Sequence, residues 1–478
     1  MRRMRLTAAG AAAVAAPALV PAQASAHGIG ARTDLPIPEW LFVWAAVVVL
    51  IVSFAALATL WPRPKLEGDA WRPLPRRLGQ VLTSRPVEIV CGALGALLLL
   101  VVIWSGLVGQ QVSSANFAPN FVYILFWVGL VPVSLLLGDV FRVFNPWRAI
   151  GHAVAWSAGK AARQPMPAPL AYPERLGRWP AAVGVLVFAW FELAYQGGDS
   201  PRVVALAAFG YSAVTFIGMA MYGVEPWTRR AETFSVYFNL FARLSPWERR
   251  ERDIGLRSPL AGLAKLEALP GTTTLLAVMI GTVTFDGASE GPVWQAVGPP
   301  LQRMLAGVGL PPVVAGEVAT TVGLLVAVGL ILGLYRLGVA GARSVGGTHS
   351  ADRLARGFVH SLVPIALVYA AAHYMTLLIF QGQALGYLAS DPLGVGWNLF
   401  GTAELAIDYT VIGAAAVWYL QVAMVVAGHV AALVLAHDRA LVLYDGQGRL
   451  AVRSQYWMLG VMVAFTTLAL WLLAQANG

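Results

Sequence analysis

A helix needs about 20 consecutive apolar residues to cross a hydrocarbon core. This chain offers ten stretches that meet that length or come near it. They run over 40–61, 87–108, 119–141, 181–196, 202–222, 271–285, 313–335, 357–380, 409–436 and 456–474. Backbone in lipid must satisfy its own hydrogen bonds, so such runs become helices. The sequence therefore predicts an all-α integral membrane protein with about ten transmembrane helices. The fourth and sixth stretches are short and are expected to tilt little or to borrow flanking residues. Composition agrees: of 478 residues, 58% are apolar and only 12% charged, outside the usual soluble balance.

The first residues are not one of these spans. "MRRMR" is a positive n-region, "LTAAGAAAVAAPALV" a short apolar h-region, and "AQASA" places Ala24 and Ala26 at the positions of an A-x-A cleavage site. That is the anatomy of a secretory signal peptide. Residues 1–26 are read as the signal and 27–478 as one polytopic membrane domain, with no separate soluble domain. Orientation follows from Lys and Arg. Segments 62–86, 142–179, 223–270, 336–357 and 437–456 hold 27 of them, against Arg32, Arg202 and Arg303 in the alternate loops. The positive-inside rule then puts the mature amino terminus and the carboxyl terminus both outside a bacterial-type plasma (inner) membrane. The net charge of +9 is spread over those inner loops, which excludes a nucleic-acid partner; the bilayer is the partner the chain requires. The single cysteine, Cys91, excludes an internal disulfide.

Inner loops carry three Pro-Trp motifs, "FNPWR", "VEPWTRR" and "LSPWERR". Asn145, Glu225 and Ser245 before Pro read as helix starts, and Ser245 with Glu248 as a capping box. Phe234, Tyr237, Phe238, Phe241 and Leu244 keep helical spacing, which predicts an amphipathic inner-leaflet helix, or one packed on the bundle. "GVAGARSVGGTHSADRLARG" reads as a flexible inner linker.

Ionisable groups within apolar helices are functional candidates until a partner explains them. Glu192 lies one turn below the outer end of its span among aromatic neighbours. Asp286 and Glu290 are four residues apart at a helix exit; they share a face if the helix continues and line a turn if Gly287 breaks it. A hydrogen bond to a neighbouring helix is the plain alternative for Glu192. Among seven histidines, His152 and His349 fall in inner loops and His437 at an inner helix end. His360, at an inner helix end, and His429, in the inner half of its span, could meet across two helices and form a proton or metal site on the side opposite the carboxylates. His373, with Tyr374, Gln381 and Gln383, lies on the outer half and is either a metal ligand or a packed core histidine. Cleavage after Ala26 would make His27 the first residue, and its amine and imidazole can chelate one metal. His373 would add the further nitrogen that suits copper; carboxylates with His27 would suit zinc or another divalent ion. A chance His at the cut site is the plain reading. There is no HExxH, GxSxG, CxxC or Walker sequence.

Three segments carry a resemblance: "HGIGARTDLPIPEWLF", "ANFAPNFVYILFWVGLVPVSLLLGDVFRVFNPWRAIG" and "TFDGASEGPVW". They resemble bacterial polytopic membrane proteins labelled fenitrothion hydrolase, over nearly the whole chain. The resemblance implies a membrane hydrolase of organophosphorus triesters, taking a lipophilic small-molecule substrate. Glu192 or Asp286 would then act as base or ligand beside an outward-facing metal-activated water, with His27, His373 and Glu290 as metal candidates. A second membrane subunit stays open. The alternative is a membrane transporter or metal-handling (copper-handling) protein with an outer-facing acidic site. In it, Glu192, His373 and His429 would be stations of a path.

Overall fold

The computed structural model describes residues 39–68, 70–164, 168–347, 349–445 and 447–476. The signal segment and His27 lie outside the described residues. Among the described residues, eight helices are long and apolar enough to cross a membrane, which makes the chain an all-α, multi-pass membrane protein. These are α1 (Glu39–Leu60), α2 (Arg85–Val108), the composite α3 (117–137), α6 (Pro201–Tyr222), α11 (Pro312–Ser344), the pair α12 (Ala351–Phe358) and α13 (Leu362–His373), α16 (Ala414–Leu443) and α17 (Gly448–Ala476). Between them, besides the short helices Arg76–Leu82, Val140–Phe144 and Ala261–Ala264, come α4 (Pro146–Ala162), α5 (Trp179–Leu193), α7 (Val224–Arg230), α8 (Thr233–Ala242), α9 (Thr272–Ser289), α10 (Pro292–Gly307), α14 (Met375–Phe380) and α15 (Ala384–Ser390).

The two short expected spans became α5 and α9, neither of which meets the length and hydropathy of the eight. Their surroundings explain this. α9 packs against α5, α11, α13 and α17, and its residues from Leu275 to Gly287 are all buried. A helix sheathed in protein does not need a lipid-matched surface, so α9 can carry Thr282, Thr284 and Asp286 in its interior. Close approach is part of the design: a Cβ on Gly281 would lie 2.6 Å from the Val328 Cα on α11.

Four loop expectations need correction. The aromatic stretch 233–242 is a helix but not a surface one: Phe234, Tyr237, Phe238 and Phe241 are buried, and so are Val236, Leu240 and Ala242 on its other faces. Its polar stripe, Ser235 and Asn239, bonds to Asn145 and Asp139 within the protein, and the apolar faces pack against α3 and α5. Its start is capped by buried Glu232, whose carboxylate accepts from the Phe234 and Ser235 amides and from Asn145 and Tyr211. "LSPWERR" does not begin a helix. Trp247–Arg250 is strand β2 of a small antiparallel sheet, order β1-β3-β2, with β1 at Arg72–Pro73 and β3 at Asp253–Leu256. Glu225 is not a cap either; it lies inside α7, ringed by Arg142, Arg148, His152 and Arg229. Finally, α11 runs on to Ser344 and α12 starts at Ala351, so most of the expected flexible linker is helical. The "FNPWR" reading holds: Asn145 Oδ1 accepts the Arg148 amide at 2.8 Å with Pro146 opening α4.

At the arginine-rich end, α1 is clamped to α16. Buried Asp438 accepts the Trp61 indole at 2.9 Å and the Lys65 amide at 2.6 Å. His437 bridges the Gln455 side chain and the Trp61 carbonyl. Those contacts give His437 a structural role.

Candidate functional site

The site forms where α9 meets the break between α13 and α14. Asp286 is buried one turn before the end of α9, and its Oδ2 is shared by two neighbours. The Tyr374 hydroxyl donates to it at 2.7 Å, and His373 Nε2 lies 2.9 Å away. Both partners come from the α13–α14 junction, where Tyr374 departs from helical geometry with φ −91° and ψ 10°. The break places adjacent residues 373 and 374 around one carboxylate, which a continuous helix would splay by about 100°. The junction also frees the Ala372 carbonyl for Gln421, a buried α16 side chain that donates to it at 2.9 Å.

In the tautomer that carries its proton on Nε2, His373 donates to the Asp286 carboxylate and Nδ1 is the ring's acceptor atom. The Nδ1–Cε1 edge passes 3.6 Å from where a Cβ on Gly287 would stand. A small, water-sized cavity opens on this side, lined by His373, Gly287, Val283, Tyr369, Val425 and Leu472. On the other side of α13 and α14 lies a second, larger cavity. Its walls include Trp127, Tyr237, Tyr374, Met375, Leu378 and Met424. Trp127 belongs to a π-helical segment of α3, Phe121–Gly129, and stacks on Tyr237 with ring centroids 4.4 Å apart. Interruptions of this kind are frequent at functional sites. Asp286, His373 and Tyr374 thus stand between two cavities, one beside the imidazole and one mainly apolar.

The other candidates fall in different places. Glu192, near the end of α5, is half-buried and within electrostatic range of Asp286, Tyr123, Tyr237 and Tyr374. Among the described residues it makes no ion pair or hydrogen bond, so it lies beside the cluster without being tied into it. Glu290 follows the end of α9 and is exposed. The helix does continue past Gly287, yet Asp286 is buried and Glu290 is not, so they do not form one acidic pocket. Gln381 and Gln383 turn away, toward Tyr409 and Asp408. His360 and His429 do not form the expected joint site. His360 bonds backbone at Gly357 and Leu435, while His429 Nδ1 bonds the Val425 carbonyl at 2.8 Å and its ring lies 6.2 Å from that of Tyr369. Leu435 is six residues along α16 from His429, about 9 Å at 1.5 Å per residue, which separates the two imidazoles.

Among the described residues, no three His, Cys, Asp or Glu side chains are placed to hold one metal ion. The donor chemistry fits a metal in one way only. With Nε2 turned to Asp286, the carboxylate is an orienting partner behind the imidazole, and Nδ1 is the ligand atom. Further ligands would have to come from elsewhere, and His27 lies outside the described residues. Sequence reasoning found Asp286, His373 and Tyr374 but missed Gln421 and the second cavity. Gln421 had a signal, an amide in the apolar run "WYLQVAMVV"; the cavity had none. Compared with family models, with curated proteins and with solved structures, the chain matches none of them.

Proposed function

We propose that the chain is a membrane-embedded hydrolase of neutral, lipophilic esters, with His373 as general base and Asp286 as the group that orients it. The observation that carries this reading is the buried Asp286–His373 pair at 2.9 Å, set between two cavities. A carboxylate behind an imidazole fixes its tautomer and stabilises the imidazolium that forms when it takes a proton. Water in the His373 cavity would lose its proton to Nδ1 as its oxygen bonds to the electrophilic centre. The bond to the leaving oxygen breaks, and the imidazolium returns the proton to that oxygen. The Tyr374 hydroxyl, bonded to the same Asp286 oxygen, holds the carboxylate in place. The apolar cavity suits the hydrophobic part of a substrate that has partitioned into the bilayer.

The resemblance narrows the substrate to an organophosphorus triester, for which the centre attacked is phosphorus and the leaving group a phenol. If a divalent ion, copper or zinc, is held at Nδ1, that nitrogen can no longer take the proton; the ion would then supply the lowered water pKa and polarise the phosphoryl group in place of the general base. The residues on hand for it are His373 with, if the mature chain begins there, His27. The charge bias of the loops supports an outward-facing site, with ten crossings if α5 and α9 are counted. A second reading, transport, is favoured by one feature: the helix interruption at Tyr374 resembles the broken helices of transporter binding sites. Purified protein in detergent distinguishes the two. Turnover of a lipophilic phosphotriester that Asp286→Asn abolishes supports the enzyme. No turnover in detergent, with solute movement only in sealed vesicles, supports transport.

A further inference from the structure

Residues 391–413, between α15 and α16, form an irregular loop that anchors itself through buried Leu393 and packed Ile407 and turns several other large apolar side chains away from the protein. Val395, Trp397, Leu399, Phe400, Leu405 and Val411 are all exposed, Phe400 at 71% and Leu399 at 59%. The loop contains no Lys or Arg. A patch of this kind on an ordered segment needs a cover, and three observations identify it.

The first is depth. The Trp397 ring lies 6.0 Å from that of Trp104 on α2, and Trp104 is four residues, about 6 Å, inside the end of that spanning helix. The Gln110 amide also bonds the Leu393 carbonyl at 2.8 Å, pinning the loop to the flank of α2. The second is continuity. The exposed side of α2 carries Leu97, Leu100, Leu107 and Val108, so the loop extends an apolar surface that already faces lipid. The third is the backbone. Non-helical chain at membrane depth must bring its own hydrogen-bond partners, and this loop does. Asp391 accepts the Val395 and Gly396 amides, Ser390 those of Phe400 and Thr402, Asn398 that of Ala403, and Gln383 that of Asp408.

We infer that the 391–413 loop is inserted into the lipid interface at the membrane face where α2 ends, with Leu399 and Phe400 in contact with acyl chains. The inference rests on neither the proposed chemistry nor the sidedness of the chain. Because the loop's only charges are the carboxylates of Asp391, Glu404 and Asp408, the lipid it fits is zwitterionic rather than anionic.

The test attaches an environment-sensitive fluorophore at Phe400→Cys in a Cys91→Ser background, in phosphatidylcholine nanodiscs. Glu174→Cys, in an exposed polar loop, is the aqueous reference. Lipid carrying a shallow nitroxide should quench the probe at 400 about twofold or more over the reference, and iodide should quench it about half as much or less. Iodide quenching equal to that at 174 overturns the inference. Protection from both quenchers, the signature of a protein cover, overturns it too. If Phe400→Cys fails to fold, Leu399→Cys serves as the second position, with the same outcomes expected.

Discussion

One carboxylate oxygen, Asp286 Oδ2, receives both the Tyr374 hydroxyl and the His373 imidazole. The chemistry of the site turns on that oxygen. Asp286→Asn keeps the shape and removes the charge, so hydrolytic turnover should fall by about 10²–10⁴-fold. Tyr374→Phe leaves the dyad in place and should cost far less, with both variants eluting as the folded protein on gel filtration. Of these three residues, each was legible alone, because a polar group in an apolar helix stands out. Their convergence was not, since it depends on how α9 packs on α13 and on a helix break that no Pro or Gly announces. Glu225 was legible as a polar position and misread as a cap. His152, and then the Arg148 and Arg142 guanidinia, hold its carboxyl well below the ordinary 4.5. A depressed carboxyl contributes stability above its unfolded value and loses it as pH falls toward its folded one. Glu225→Gln should therefore lower detergent-solubilised stability by about 1 kcal/mol near pH 7, since the cluster is partly exposed. The gap between variant and parent should narrow in thermal melts at about pH 3.

At the scale of elements, α9 is the one on which the site depends. It is short, moderately polar and enclosed, so hydropathy alone ranked it among the weakest spans. Gly281→Ala forces a Cβ against Val328 backbone on α11, and thermal denaturation should show a loss of about 1–3 kcal/mol. The α13–α14 junction depends on Gln421. Gln421→Leu leaves the Ala372 carbonyl without that donor and should cost about 1–3 kcal/mol, with reduced turnover if the junction sets the His373 geometry. The apolar runs 87–108 and 202–222 fall within two residues of the bounds of α2 and α6, whereas 409–436 and 456–474 overlap α16 (Ala414–Leu443) and α17 (Gly448–Ala476) but miss their polar ends. Periodicity could not reveal the π-helical run in α3, where every residue from Phe121 to Gly129 is apolar or small and the register leaves no trace in composition. Nor could it separate a buried aromatic helix from an interfacial one at 233–242. The spacing is the same, and only the protein partners of the Ser235–Asn239 stripe distinguish them.

Across the whole molecule, apolar length dictates the class of fold and basic residues propose its sidedness. The positions of charges relative to lipid follow from these two. If residues 1–26 are removed, intact-mass measurement of the purified chain should find a first residue of His27; a retained Met1 ends any role for its amine in metal binding. A reporter fused after Gly478 should be active outside the cytosol, and cytosolic activity would reverse the proposed sidedness without touching the Asp286–His373 pair. The central claim is hydrolysis by that pair. Its most direct test is the release of phenol from a lipophilic phosphotriester by detergent-purified protein, parent and Asp286→Asn side by side. The account predicts turnover by the parent and about a hundredfold loss or more in the folded variant. Equal rates in the two, or none in a folded parent with and without added copper or zinc, would contradict it.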